Sequence, residues 1–219
     1  MAYPFACSPP AAIASKNLAG LDALGQQLEV GDIVFTRISF PLFCKVADTT
    51  SSWTKHVGIV IDIADHEPLI AESRVPFSGT ASWSSFVRRS ACGRVALARL
   101  NPPPDAAQHS RLAQAARKRM HILYDTGFNL HSRRQFCSRF VREVVDEATG
   151  IKLGEVESFA GLLASNPQAD LRFWRLWYVG RIPWQRETVT PSSLLGDDRL
   201  TIYFDGHAAD ARPNRGAPL

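Results

Sequence analysis

The stretch Gln135-Phe136-Cys137-Ser138-Arg139-Phe140-Val141-Arg142-Glu143-Val144-Val145-Asp146-Glu147-Ala148 constrains the chain more than any other. Phe136, Phe140, Val141, Val144, Val145 and Ala148 recur every three or four residues, and Arg139, Arg142, Glu143, Asp146 and Glu147 fill the other side, so the spacing predicts a helix with one buried stripe. Thr149-Gly150 ends it, because glycine accepts the left-handed backbone found past helix ends, and Cys137 therefore falls in the first turn. Unpaired amides and the positive end of the helix dipole there favour a thiolate over a thiol. An unpaired cysteine is more often a small core residue. A chemical role needs partners from elsewhere in the chain.

The 219 residues suffice for a sizeable core. A net charge of +4 is too small to select nucleic acid, membrane or an anionic substrate. Arg88-Arg89, Arg117-Lys118-Arg119 and Arg133-Arg134 are short clusters without interleaved aromatics; they read as solvated faces, and no nucleic-acid partner is expected. Cys7, Cys44, Cys92 and Cys137 lack the paired spacing of zinc sites, so neither metal nor cofactor is expected. No basic leader followed by an apolar core opens the chain, and no run is long enough to span a membrane. The expected location is the cytoplasm, or outside the cell by way of a specialised secretion system.

Residues 1–28 read as a loose lead-in with a turn or two of helix around Leu18, Leu21 and Leu24. Strands are expected at residues 31–38, 55–63, 69–73, 94–100, 171–179 and 200–204, from period-two alternation or dense aromatics. Residues 55–63 and 69–73 form a hairpin across Asp65-His66-Glu67-Pro68. Helices are expected at 41–48, near Ser82 to Val87, after the Asp105 cap, from Cys137, and over Ser158 to Ala164. Residues 76–93 otherwise read as loop, as do 181–198, and 206–219 read as a disordered tail. With no internal repeat or linker, residues 29–205 form one α+β domain.

Three histidines compete as a base for Cys137. His131 lies in the preceding polar loop, and His121 sits at a helix end, where a cation is favoured for reasons unrelated to catalysis. His56 opens a rigid strand and faces away from the Val57, Ile59, Ile61 stripe. A sheet positions a side chain better than a loop does, which favours His56. Glu72, the only acid of the paired strand, can orient the imidazole, giving Cys137, His56 and Glu72 the roles of nucleophile, base and orienter.

The motifs Gly31-Asp32-Ile33-Val34-Phe35, His56-Val57-Gly58-Ile59-Val60, Ala71-Glu72 and Tyr124-Asp125, followed by Phe136-Cys137-Ser138-Arg139-Phe140-Val141, resemble the circularly permuted branch of the NlpC/P60 superfamily. More narrowly, they are similar to its YiiX/YebB-like cysteine hydrolases. In that branch the histidine strand precedes the cysteine helix, as it does here. The resemblance implies a permuted papain-like fold, an antiparallel sheet packed against a helix with cysteine at its N-terminus. It carries the nucleophile, base and third polar residue onto Cys137, His56 and Glu72. Arg139 stands where many members carry an acid, an expected change of charge at the cleft.

The expected activity is that of a cysteine amidase or peptidase working through an acyl-enzyme, on a peptide, murein or other acyl-bearing substrate; delivery as an antibacterial effector would reconcile a murein substrate with the missing leader. The alternatives are an acyltransferase or lipid or thioester hydrolase, with Trp83 or the segment Trp174 to Tyr178 lining an acyl pocket, and a non-catalytic binding module.

Overall fold

The computed structural model describes residues 18–38, 52–63, 67–166, 169 and 171–211. Its elements begin with α1 (Leu18–Gly25), β1 (Ile33–Ile38), β2 (His56–Asp62), β3 (Leu69–Glu72), β4 (Gly79–Ser82), α2 (Trp83–Arg88) and β5 (Ser90–Leu100). They continue with α3 (Ala106–Lys118), α4 (Cys137–Thr149), β6 (Glu157–Ser158), α5 (Phe159–Ser165) and α6 (Leu171–Trp177). The chain then forms β7 (Glu187–Thr188), α7 (Pro191–Leu195), β8 (Leu200–His207) and a 3-10 turn, Ala208–Asp210.

Alternation along the strands sorts side chains onto the two faces of one antiparallel sheet, in the order β4-β3-β2-β1-β5-β8. Ile33 and Phe35, Val57, Ile59 and Ile61, and Ala96 and Ala98 point to a front core that receives Leu112 and Ala116 of α3 and Phe140, Val141, Val144 and Val145 of α4. Val34, Val60, Ile70, Val95 and Leu97 point to a back core closed by Leu21 and Leu24 of α1 and by Trp83, Phe86 and Val87 of α2. Burying both faces of β1, β2 and β5 explains their high apolar content.

Local chemistry fixes the ends. Asp105 and Gln108 form a reciprocal capping box at α3, and Gly150 ends α4 at φ 79°. Asp32, fully buried, accepts from Arg99 Nε and Nη2 at 2.7 and 2.8 Å and from Tyr203 Oη at 2.8 Å, tying the entry of β1 to β5 and β8.

The architecture matches the expected α+β sheet-and-helix arrangement, with four local corrections. Residues 171–177 are helical, because Phe173 stacks on Trp177 and Trp174 on Tyr178, pairs four residues apart that a strand would place on one face but too far apart to stack. Residues 181–198 contain β7 and α7, the latter started by Thr190 and Pro191. The 76–93 segment supplies β4, which completes the sheet edge beside β3, and β5 begins at Ser90. β8 runs to His207, past the expected end at 204, pairing Asp205, Gly206 and His207 with β5. The helix expected at 41–48 lies outside the described residues, as do residues 1–17, 212–219, Cys7 and Cys44. No helix among the described residues is long and apolar enough to cross a membrane.

Candidate active site

Cys137 is the first residue of α4. The helix is pulled onto the sheet by its buried stripe, and this brings its N-terminus to the end of β2 where His56 lies. The residue before it, Phe136, adopts an extended backbone and makes no side-chain cap, so its side chain leaves the first-turn amides to other acceptors. Cys137 is 4% exposed. Its sulfur receives hydrogen bonds from the backbone N–H of Val57 and from His56, and the Tyr124 hydroxyl stands 4.0 Å away.

His56 and Glu72 are both buried, and His56 Nε2 lies 2.5 Å from Glu72 Oε2. The β2–β3 register pairs Ile59 with Ala71 and Val60 with Ile70, which brings the acid alongside the histidine strand. Gly58 makes the approach possible: a Cβ there would come within 2.6 Å of Ile70 Cγ2 and 2.9 Å of Phe86 Cε2. With that space open, the Phe86 ring packs 5.6 Å from the imidazole. On its other side Glu72 Oε1 accepts from Arg89 Nη2 at 2.7 Å, with Arg74 Nε at 3.5 Å. The carboxylate is thus paired on both oxygens, as a buried charge requires.

These contacts set the protonation states. Burial by itself would depress the His56 pKa, but the hydrogen bonds to Cys137 and Glu72 and their charges raise it to about 9. Burial pushes the Cys137 thiol up, and the His56 bond and charge, helped by the Val57 amide and Tyr124, bring it below its ordinary value. Burial likewise opposes ionisation of Glu72, and His56 and Arg89 outweigh it. Tyr124 is pushed well above the usual phenol value by burial and by the neighbouring sulfur, so it remains a hydroxyl donor. Each of these shifts favours the charged form of its group: thiolate for Cys137, imidazolium for His56 and carboxylate for Glu72.

A narrow cleft opens against Cys137 and Tyr124. Its walls come from Phe128, Phe136, Phe159, Leu162, Leu163 and Trp174, with Lys55, Ser138 and Thr188 to Pro191 completing the lining. Ser138 Oγ donates to the Val189 carbonyl at 2.7 Å, fastening α4 to that wall. Trp174 meets Phe159 edge-on at 5.5 Å. Of the two tryptophan regions considered for such a pocket, Trp174 lines it. Trp83 instead belongs to the back core and donates to the Leu21 carbonyl at 2.8 Å.

The competing histidines lie elsewhere. His131 is exposed and paired with Glu187 at 2.7 Å, and His121 is exposed at the end of the α3 segment with φ 61°. Arg139 does not alter the cleft: it turns back to the carbonyls of Ser132 and Arg134 and to Glu143. The arginine clusters are only partly solvated faces. Arg89 serves Glu72, and Arg119 bonds Glu143 and Glu147. Sequence reasoning assigned no role to Arg89 or to the Tyr124 hydroxyl. The signal for Arg89 was present, since it follows Phe86 by three residues on a short helix and so shares its side.

A sheet that carries histidine and acid ahead of the helix that carries cysteine defines a circularly permuted papain-like fold. The chain belongs to the Peptidase_C92 family, described as permuted papain-like amidase enzymes of the YaeF/YiiX type, whose profile matches residues 27–203. It is 26% identical over 186 residues to the uncharacterised protein YiiX of Escherichia coli K12, covering 84% of this chain and 90% of that one. The crystal structure of YiiX from Escherichia coli O157:H7, there described as a metalloprotein, has a TM-score of 0.76 and 23% identity. The match covers 83% of this chain and 99% of that one and shows the shared fold.

Proposed function

We propose that this chain is a cysteine amidase in which Cys137 is the nucleophile, His56 the general base and acid, and Glu72 the residue that holds the imidazole. The observation that carries the reading is the buried line Glu72, His56, Cys137, with Glu72 on Nε2. With Nε2 committed, Nδ1 serves the sulfur. The thiolate attacks the substrate carbonyl, forming the C–S bond. The Cys137 backbone amide and the positive end of α4 stabilise the oxyanion. His56 gives its proton to the leaving nitrogen as the C–N bond breaks. Water, deprotonated by the now neutral His56, then attacks the thioester and releases the acid.

A murein stem peptide would bring several charged groups to a cleft whose walls are mainly aromatic and aliphatic. An apolar acyl group suits that lining better. Because a relative is described as a metalloprotein, the donors here bear on a metal as well. Among the described residues no group of three or more His, Cys, Asp and Glu side chains converges to hold an ion. The described residues do not form such a site, and no step is assigned to a metal.

The test is alkylation and turnover on one sample. Iodoacetamide should label Cys137 faster than Cys92 at pH 6, and N-acyl anilides should be cleaved by the wild type and not by Cys137→Ala. Equal, slow labelling of both thiols with no anilide cleavage would refute the reading.

A further inference from the structure

Arg89 stands at the far end of the line that starts at Cys137. It is the C-cap residue of α2, a helix anchored in the back core by Trp83, Phe86 and Val87. Its Nη2 donates to Glu72 Oε1 at 2.7 Å, while His56 Nε2 lies 2.5 Å from Oε2, so arginine and histidine hold opposite oxygens of one buried carboxylate. The guanidinium is held in place on its own side: Nε donates to the Ser85 carbonyl at 3.4 Å, and Cζ lies 5.1 Å from the centre of the Phe86 ring. That ring also packs 5.6 Å from the imidazole, so one aromatic side chain supports both partners of Glu72. Arg74, after β3, is farther from Oε1 at 3.5 Å and is 48% exposed against 32% for Arg89, which makes it the weaker and more screened countercharge. Cys137 of α4 faces His56 from the side away from Glu72.

On the proposed reading, His56 changes charge within each turnover. It enters acylation as imidazolium and leaves it neutral, having given its proton to the departing group. In the acyl-enzyme the sulfur is bonded to carbon and carries no charge. Glu72 then lies fully buried beside a neutral ring, and burial opposes its ionisation. Guanidinium groups do not give up their proton in proteins, so an arginine supplies a countercharge through both halves of the cycle. The difference fixes the tautomer. An ionised Glu72 accepts from Nε2–H and leaves the Nδ1 lone pair for the water. A protonated Glu72 would donate to Nε2 and put the only ring hydrogen on Nδ1, where it blocks removal of the water's proton.

We infer that Arg89 is a positioning residue for deacylation, holding Glu72 as a carboxylate and the imidazole in its basic tautomer while His56 is neutral. The inference rests on the Cys137, His56 and Glu72 reading and assigns a step within it. In that step the water oxygen bonds to the acyl carbon, its proton passes to His56 Nδ1, and the C–S bond breaks to return the thiolate. Acylation depends less on Arg89, because the imidazolium itself balances Glu72 there.

The experiment uses full-length protein and p-nitrophenyl butanoate. With enzyme in excess, p-nitrophenol release reports acylation. After rapid removal of the ester, loss of the butanoyl adduct from the intact protein mass reports deacylation. Arg89→Gln should deacylate at least about tenfold more slowly than the wild type and acylate within about threefold of it, so the adduct accumulates. Arg89→Lys keeps a cation and should lose less, in deacylation alone; it carries the comparison should the glutamine variant fail to fold. Guanidinium chloride at a non-denaturing concentration should restore deacylation in Arg89→Ala, since the place of the side chain is open to solvent, and should not accelerate the wild type. A residue that only braced α2 would slow both steps alike and resist this rescue. Equal slowing of both steps in either charge variant, wild-type deacylation in Arg89→Gln, or no rescue of Arg89→Ala overturns the inference and leaves the Cys137 reading standing. Ester turnover surviving in Cys137→Ala, with no adduct on the wild type, overturns that reading and the inference with it.

Discussion

The two sides of Cys137 are built from opposite materials. Toward the back of the sheet lie His56, Glu72, Arg89 and Arg74, a chain of charges sealed from water except at its arginine end. Toward the cleft lie Phe128, Phe136, Phe159, Leu162, Leu163 and Trp174, with few polar groups. On the proposed reading, the charged side sets protonation and the apolar side sets what can approach the sulfur. Chemistry and selectivity are thereby separable, and substitutions on each side should have different kinetic signatures.

The largest effect is expected from Cys137→Ala, which should lower kcat/KM by at least about 10³-fold with little change in unfolding temperature. Next is Glu72→Gln, which keeps the shape and removes the charge. It should cost about 10²- to 10⁴-fold in kcat and about 1–3 kcal/mol in stability, since it leaves Arg89 and His56 underpaired. Urea unfolding and kinetics on the same preparation measure both. Should Glu72→Gln raise KM alone, the charged side would not control the chemistry.

The pH dependence follows from the raised His56 pKa. Folded His56 keeps its proton up to about 9, above the ordinary value near 6.5. Its contribution to stability is therefore complete below about pH 6.5 and is lost as pH rises through about 9. The acid form needed by the leaving group disappears over the same upper limb, so kcat/KM should fall above about pH 9. Because Cys137 and His56 titrate as a coupled pair, the limb belongs to the pair. In Glu72→Gln it should move to lower pH. A fixed upper limb would break the link between carboxylate and imidazole.

The smallest effect is expected on the apolar side. Leu162→Ala widens the cleft wall and should shift preference toward bulkier acyl groups by about 10-fold in relative kcat/KM, with Cys137 alkylation unchanged. A series of acyl anilides of increasing chain length reads it directly.

Much of the charged side was legible in the sequence because it depends on period-two alternation and one hairpin. His56 opens the strand whose stripe is Val57, Ile59 and Ile61, and Glu72 is the single acid of the strand opposite. On the apolar side Trp174 was legible and the other walls were not, because they come from α4, α5 and residues 188–191, brought together only by tertiary packing. At α6 the bulk of the aromatics suggested a strand, while their spacing at 173, 174, 177 and 178 already fitted a helix. Tyr124 illustrates a different limit. It sits between two loops and reaches the sulfur through isolated bridges, Phe77 with Leu123 and Tyr124 with Gln135, that leave no periodic trace.

The permuted order also has a consequence in time. β2 and β3 leave the ribosome before α4, by several seconds at about 5–20 residues per second. On the proposed reading, base and acid are already synthesised while the nucleophile is still inside the exit tunnel. On that reading Cys137 meets its base only when α4 docks beside β2, so the chain carries an ordinary thiol until that contact forms.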